Sequence, residues 1–147
     1  AIDVELMSMS AVATPHIAGH SFDARLNAVR MMCEAVGRFF GRECVWQGPL
    51  NLPEPKIGRI TVQGGEPDRV EEKVREIVLQ CHPLAEDDRA LRKLSGLPEA
   101  DRSAFFRKLR ADYPVRREFP ATTVAVDPRD STLGSILKTL GFTVAGT

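Results

Sequence analysis

The amino-acid sequence predicts an α+β fold: a small sheet covered by helices, preceded by a long amphipathic helix. Three observations predict it. Apolar residues from Phe22 to Phe40 recur at alternating spacings of four and three, which traces one face of an α-helix. Ile57, Ile60 and Val62 with polar residues between them, and the β-branched run at 122–126, have the character of strands. Around these runs lie further helical stripes, bounded by prolines, glycines and capping residues.

The first 13 residues begin apolar-rich, and Ala11-Val12-Ala13 is a strand-like run that stops at Thr14-Pro15. Proline disfavours helix in the residue before it, so Thr14 is expected to be extended and His16 to stand at a strand-to-loop exit. Gly19 permits a tight backbone, Ser21 is suited to a helix N-cap and Asp23 to a first turn. The stripe of the long helix is Phe22, Leu26, Val29, Cys33, Val36 and Phe40, with Arg25, Arg30, Glu34 and Arg38 largely off it and Gly41 as the stop. Each such side chain contributes on the order of 1.5–3 kcal/mol if fully buried, so the stripe requires a partner surface.

Between residues 42 and 55 the periodicity disappears and Pro49, Pro53 and Pro55 punctuate the chain, which reads as an extended linker. The first strand follows and is expected to end at a Gly64-Gly65 turn. Pro67 suits a first helical turn, and Val70, Val74, Ile77, Val78 and Cys81 continue as a helical stripe ended by His82-Pro83. A short helix opening at Asp87-Asp88 carries Leu91 and Leu94, and another begins at Pro98, offers Phe105, Phe106 and Leu109 to a core and stops at Tyr113-Pro114. After the 122–126 strand, Asp130 or Ser131 can cap a helix burying Leu133, Ile136, Leu137 and Leu140, Gly141 ends it, and Phe142-Thr143-Val144 is a last strand. The unit after the linker has about 90 residues, enough for a marginal core that an oligomer interface would strengthen.

Composition narrows the functional classes. The chain has 147 residues, 43% hydrophobic and 27% charged, an ordinary globular balance. Lys+Arg and Asp+Glu are 20 each, so no net field attracts nucleic acid or anionic lipid. There is no apolar run near the roughly 20 residues of a membrane helix and no leader-like amino terminus, so a cytoplasmic protein without a membrane partner is expected. Cys33, Cys44 and Cys81 are expected to be free thiols in a reducing compartment. The start at Ala1, without an initiator methionine, suggests a piece of a longer polypeptide.

Of three histidines, His16 is the most suggestive. A histidine before a glycine-relaxed loop and a helix start, beside unpaired amide donors, suits a general acid or base, although spacing alone favours a plain loop histidine. His20 lies four residues on, but Pro15 and Gly19 argue against the regular helix that a metal pair would need, so no metal is expected. His82 receives no role. Arg107, Lys108, Arg110, Arg116 and Arg117 form a basic cluster interrupted by Asp112 and Glu118, either a solvated face or an anion site. No glycine-rich dinucleotide fingerprint or nucleophile elbow is present.

The segment Thr14-Pro15-His16-Ile17-Ala18-Gly19, with the helix after it, resembles the C-terminal catalytic segment of the D-2-hydroxyacid dehydrogenases. Lys56-Ile57-Gly58-Arg59-Ile60-Thr61, Asp87-Asp88-Arg89-Ala90-Leu91-Arg92, the run from Lys108 to Phe119 and Leu140-Gly141-Phe142 resemble the dimerisation domain of the 4-phosphoerythronate dehydrogenase family. The resemblance implies three parts: residues 1–41 as the end of an NAD-binding domain with the catalytic histidine and an inter-domain helix, 42–55 as linker, and 56–147 as dimerisation domain. It implies oxidation of 4-phospho-D-erythronate with NAD in a homodimer, on the route to pyridoxal 5′-phosphate, with His16 taking the hydroxyl proton. It puts Gly19 beside the cofactor and His20 where the family usually presents a substrate-contacting tyrosine, a departure from the pattern. Arg116 or Arg117 is expected to reach the substrate phosphate of a neighbouring subunit. The carboxylate that pairs with the histidine, the substrate-binding arginine and the cofactor fold are expected upstream of Ala1, so turnover by this chain alone is not expected, and the long helix is expected to pack differently from the intact enzyme or to contact another copy. The contrasting expectations are a stand-alone dimerisation module and, less well supported, a small-molecule regulatory domain.

Overall fold

The computed structural model of the chain describes residues 3–62 and 69–146. The expected Gly64-Gly65 turn and the Pro67 helix start lie outside the described residues. In chain order the elements are α1 (Val4–Met9), α2 (Phe22–Phe39), β1 (Arg59–Thr61), α3 (Val70–Cys81), α4 (Leu84–Arg92), a short 3-10 turn (Lys93–Gly96), α5 (Glu99–Ala111), a second 3-10 turn (Phe119–Ala121), β2 (Thr123–Val126), α6 (Ser131–Thr139) and β3 (Thr143–Gly146). The fold is α+β, as the sequence predicts.

The three strands form one parallel sheet in the order β1-β2-β3, with Ile60 opposite Val124 and Val124 opposite Val144. Parallel neighbours need crossovers. The long one, through α3, α4 and α5, joins β1 to β2, and α6 joins β2 to β3. Because β2 is central, Val124, Ala125 and Val126 are all buried, as expected of a parallel strand covered on both faces. The main core unites Ile60, Ile77, Val124, Val126, Leu133, Leu137 and Phe142, with Val70, Val74, Val78 and Cys81 of the α3 stripe packed against it. On α6 the expected stripe is only half buried: Leu133 and Leu137 are inside, while Ile136 and Leu140 remain partly open to solvent.

A second core holds the chain's beginning to the α4–α5 hairpin. Met7, Leu91 and Leu94 form its centre, flanked by Val4, Ala13, Leu97, Phe105, Phe106 and Leu109. Here the structure corrects the sequence reading twice. Residues 4–9 are helical, capped by the Asp3 carboxylate accepting from Glu5 and Leu6 amides, and residues 11–13 are not a strand. Among the described residues no strand pairs with them; instead the Ala13 amide donates to Asp88 at 2.8 Å. Helix α4 also begins at Leu84, directly after Pro83 and three residues before the expected Asp87, since proline is compatible with a helix start.

Helix α2 matches its expected bounds. The Ser21 hydroxyl caps the Ala24 amide at 3.0 Å, and Gly41 stops the helix in the left-handed region at φ 63°. Its apolar stripe, however, lies largely in solvent: Val29, Val36 and Phe40 are exposed, as are Met31, Met32 and Phe39 beside them. The linker is irregular, as expected, but it does not run free. It folds back over Gly37, whose carbonyl accepts from Arg42 at 2.9 Å, and Cys33 is disulfide-bonded to Cys44 with a Cα–Cα separation of 6.0 Å. That corrects the expectation of three free thiols. The physical reason is Gly37: a side chain there would collide with the Arg42 carbonyl, and only its absence lets the returning linker approach Cys33. Cys81 is the free cysteine, half-buried, with its thiol pushed up by desolvation.

Candidate functional site

Of the expected site residues, His16, Gly19 and His20 lie in the loop between α1 and α2, and Arg116 and Arg117 in the segment between α5 and β2. Side chains of the loop alternate inward and outward. Pro15 is buried, His16 exposed, Ile17 only 2% exposed, and Ala18 and Gly19 exposed. Two apolar anchors therefore flank His16 and turn its ring outward. The backbone of His16 is left-handed at φ 57°, with its amide donating to the Thr14 carbonyl at 2.8 Å. A non-glycine residue in that region is uncommon and costs about 1–3 kcal/mol unless its surroundings impose it. Among the described residues, no hydrogen bond reaches either ring nitrogen of His16. Gly19 faces open space: nothing lies within 4 Å of where a Cβ would stand.

His20 is half-buried and sits 2.6 Å, Nε2 to Nη2, from the guanidinium of Arg25. A guanidinium only donates, so Nε2 accepts and the ring is neutral with its proton on Nδ1. Desolvation and then the Arg25 charge hold His20 below the ordinary histidine value of 6.5, with Arg110 and Arg116 adding to the depression while a backbone hydrogen bond at Arg110 opposes it. The edge of Tyr113 meets its ring at a centroid distance of 5.7 Å. His16 and His20 are not joined as ligands, and among the described residues no group of His, Cys, Asp or Glu is placed to hold a metal ion.

The two expected arginines do different things. Arg116 donates through Nη2 to the carbonyls of Ile17 at 3.3 Å and Ala18 at 2.9 Å, while its buried Nε has no partner. Arg117, with a side chain 11% exposed, grips the Asp23 carboxylate from Nε at 2.9 Å and from Nη2 at 3.1 Å, and donates through Nη1 to the Pro53 carbonyl. Asp23 also accepts from the Glu118 amide at 2.8 Å. Burial raises the Asp23 pKa, but the Arg117 and Glu118 hydrogen bonds override it and hold the carboxyl below its usual range. The remaining basic residues differ again, since Lys108 pairs with Asp112 in solvent.

Beneath Arg116 and Arg117, a cavity of about 100 Å³ is lined by Lys56, Cys81, Asp87, Tyr113 and Thr122 among others. It includes neither His16 nor Gly19. Tyr113 donates to Asp87 at 3.0 Å at its wall. Sequence reasoning missed Arg25 and Tyr113 as neighbours of His20, and Asp87 as the partner of Tyr113, because the relative placement of α2, α4 and the segment after α5 carries no local signal. Among the described residues no helix is long and apolar enough to cross a membrane.

Fold and site together define an α+β domain, built on a three-stranded parallel sheet, that carries an exposed histidine on a loop clamped by its own arginines. Residues 51–141 match the family described as "Domain of unknown function (DUF3410)", and the chain belongs to that family. Over 141 residues it is 33% identical to the erythronate-4-phosphate dehydrogenases of Escherichia coli O9:H4 (strain HS) and Shigella flexneri serotype 5b (strain 8401). The alignment covers 96% of this chain but 35% of each relative, so the chain spans about a third of the length of the curated relatives it matches.

Proposed function

We propose that this chain is the C-terminal part of a cytoplasmic NAD-dependent oxidoreductase that converts 4-phospho-D-erythronate to 2-oxo-3-hydroxy-4-phosphobutanoate in pyridoxal 5′-phosphate biosynthesis. The observation that carries the reading is the His16 backbone. A left-handed, exposed histidine between two buried anchors is an arrangement that costs conformational energy and presents one imidazole to solvent. Its agreement with the relatives' name, over nearly the whole chain, supports a dehydrogenase.

In this reading the imidazole of His16 takes the proton of the C2 hydroxyl. Bound NAD supplies the hydride acceptor for the electron pair of the C2–H bond. Gly19, with nothing within 4 Å of its Cβ position, would stand beside the edge of such a cofactor, and no further step is assigned to these residues. A substrate role for His20 would require release of one of its present partners, the Arg25 guanidinium at Nε2 or the Arg110 backbone. The phosphate role expected of Arg116 or Arg117, serving the neighbouring subunit of a homodimer, is assigned to Arg116, because Arg117 is committed to Asp23 and the Pro53 carbonyl. The domain of residues 56–147 supports that dimer, and the chain by itself is inactive.

The test uses the polypeptide that joins this chain to a cofactor-binding part. His16→Ala is expected to reduce kcat for 4-phospho-D-erythronate by about 10²- to 10⁴-fold, read from NADH formation, with an unchanged circular dichroism spectrum. Unimpaired oxidation by that variant would refute the assignment. A second reading, a dimerisation module without activity, is favoured by the exposed stripe of α2. Sedimentation of this chain distinguishes a dimer from a monomer.

A further inference from the structure

Arg117 is the point where three distant segments meet. Its fork holds Asp23 in the first turn of α2, Nη1 donates to Pro53 at the end of the linker, and its own backbone leads into the 3-10 turn before β2. The adjoining backbone repeats the connection on both sides. The Phe22 amide donates to the Arg116 carbonyl at 2.8 Å and the Glu118 amide to Asp23 at 2.8 Å. Residues 116–118 thus satisfy one of the four amides that the start of α2 leaves unpaired and neutralise its first-turn carboxylate. Ser21, fully buried, closes the same junction.

A partly buried ion pair contributes little net stability, because desolvation of both charges offsets their attraction. Its bidentate geometry does fix orientation. The loop ending at Ser21 carries His16 and Gly19, which lie six and three residues before the α2 start at Phe22. Whatever orients that first turn orients the loop.

We propose that Arg117 is a positioning residue: by gripping Asp23 and the Pro53 carbonyl it sets the α2 start, and through it the His16 loop, in register with the segment that enters β2. The kinetic part of this inference rests on the dehydrogenase reading above; the structural part does not. Arg117 touches no reacting atom in this role. The distinguishing feature is Asp23, a carboxylate that has no reason to bind a phosphorylated acid, yet should behave as Arg117 does.

The experiment compares Asp23→Asn, Arg117→Ala, Arg117→Lys and the Asp23→Asn/Arg117→Ala double variant by amide hydrogen exchange on this chain and by steady-state kinetics in the longer polypeptide. Exchange of the Phe22, Glu118 and His20 amides is expected to accelerate at least about tenfold in Asp23→Asn and Arg117→Ala, with the β2 amides unchanged, whereas general destabilisation would accelerate all of them. In the kinetics, kcat is expected to fall about 10- to 100-fold with KM for 4-phospho-D-erythronate nearly constant, since misplacement by an ångström is enough for such a loss. The double variant should be no worse than either single, and Arg117→Lys should recover part of the loss. Unchanged junction amides in both single variants would overturn the proposal, as would a raised KM in Arg117→Ala that Asp23→Asn does not share, which would make Arg117 a phosphate ligand. If the longer wild-type polypeptide fails to oxidise the acid, the functional reading falls, and the exchange data still decide the junction.

Discussion

Replacing Leu94 with alanine separates the second core from the sheet core, and its cost can be worked from the structure. Leu94 is fully buried and stands with Met7 and Leu91 at the centre of the cluster that holds α1 to the α4–α5 hairpin. Removing three carbons forfeits about 2.4 kcal/mol at roughly 0.8 kcal/mol per buried methylene. A cavity that closes incompletely raises this toward about 3–5 kcal/mol. For a chain of this size each kcal/mol lowers Tm by about 2–4 °C, so the melting point should fall by about 6–20 °C. The distinctive prediction is spatial. Because Leu94 supports Met7 and Ala13, amides from α1 to Ala13 should lose exchange protection before those of β2 do. Leu137→Ala, equally buried in the sheet core, should destabilise by a similar amount without that order. Urea unfolding followed by circular dichroism gives the energy, and hydrogen exchange gives the order. A loss below about 1 kcal/mol for Leu94→Ala, or simultaneous exposure of both regions, would refute a separate second core.

Alanine ordinarily stabilises a helix over glycine by about 1 kcal/mol, but Gly37→Ala should have the opposite sign, because the new Cβ would stand 2.7 Å from the Arg42 carbonyl. The linker should lift from α2, read as faster proteolysis after Arg42 and as slower formation of the Cys33–Cys44 bond; a rise in stability would count against the docked linker. Acidification should weaken the fold in two stages. His20 and His82 have folded-state pKa values lowered from 6.5 by burial first and then by arginine neighbours, so the unfolded chain takes up protons first and stability declines as pH falls below 6.5. Asp23, lowered from 3.8, adds a further loss below that value. Urea midpoints measured across pH should show both, and the first should vanish in His20→Gln/His82→Gln. Finally, His16→Gly should stabilise this chain, by up to about 1 kcal/mol, by relieving a left-handed backbone that glycine adopts freely. A destabilised His16→Gly variant would show that the ring contributes packing and not strain.

Much of the secondary structure was legible because it is local. Ser21 and Gly41 bracket α2, Pro98 opens α5, and the apolar spacing of α3 marks the face that meets the sheet, all within a few residues of the features they explain. Residues 11–13 misled for the same reason. Their composition favours a strand, but a strand exists only beside a neighbour, and the Ala13 amide found the Asp88 carboxylate instead. The site was legible in part: the Thr14–Gly19 motif picks out His16, but neither its left-handed backbone nor the arginines around His20 are written in adjacent residues.

By itself the sequence determined that the chain is α+β, where most helices begin and end, and which apolar faces are available for burial. Tertiary structure alone decided that the three strands run parallel around β2, that the linker returns to Cys33 across Gly37, and that Arg116 turns to the loop carbonyls while Arg117 turns to Asp23. The reason is range. Propensity and capping act over a few covalent bonds, whereas the partners of Arg117 and Ala13 lie 94 and 75 residues away, and only closure of the chain brings such groups within hydrogen-bonding distance.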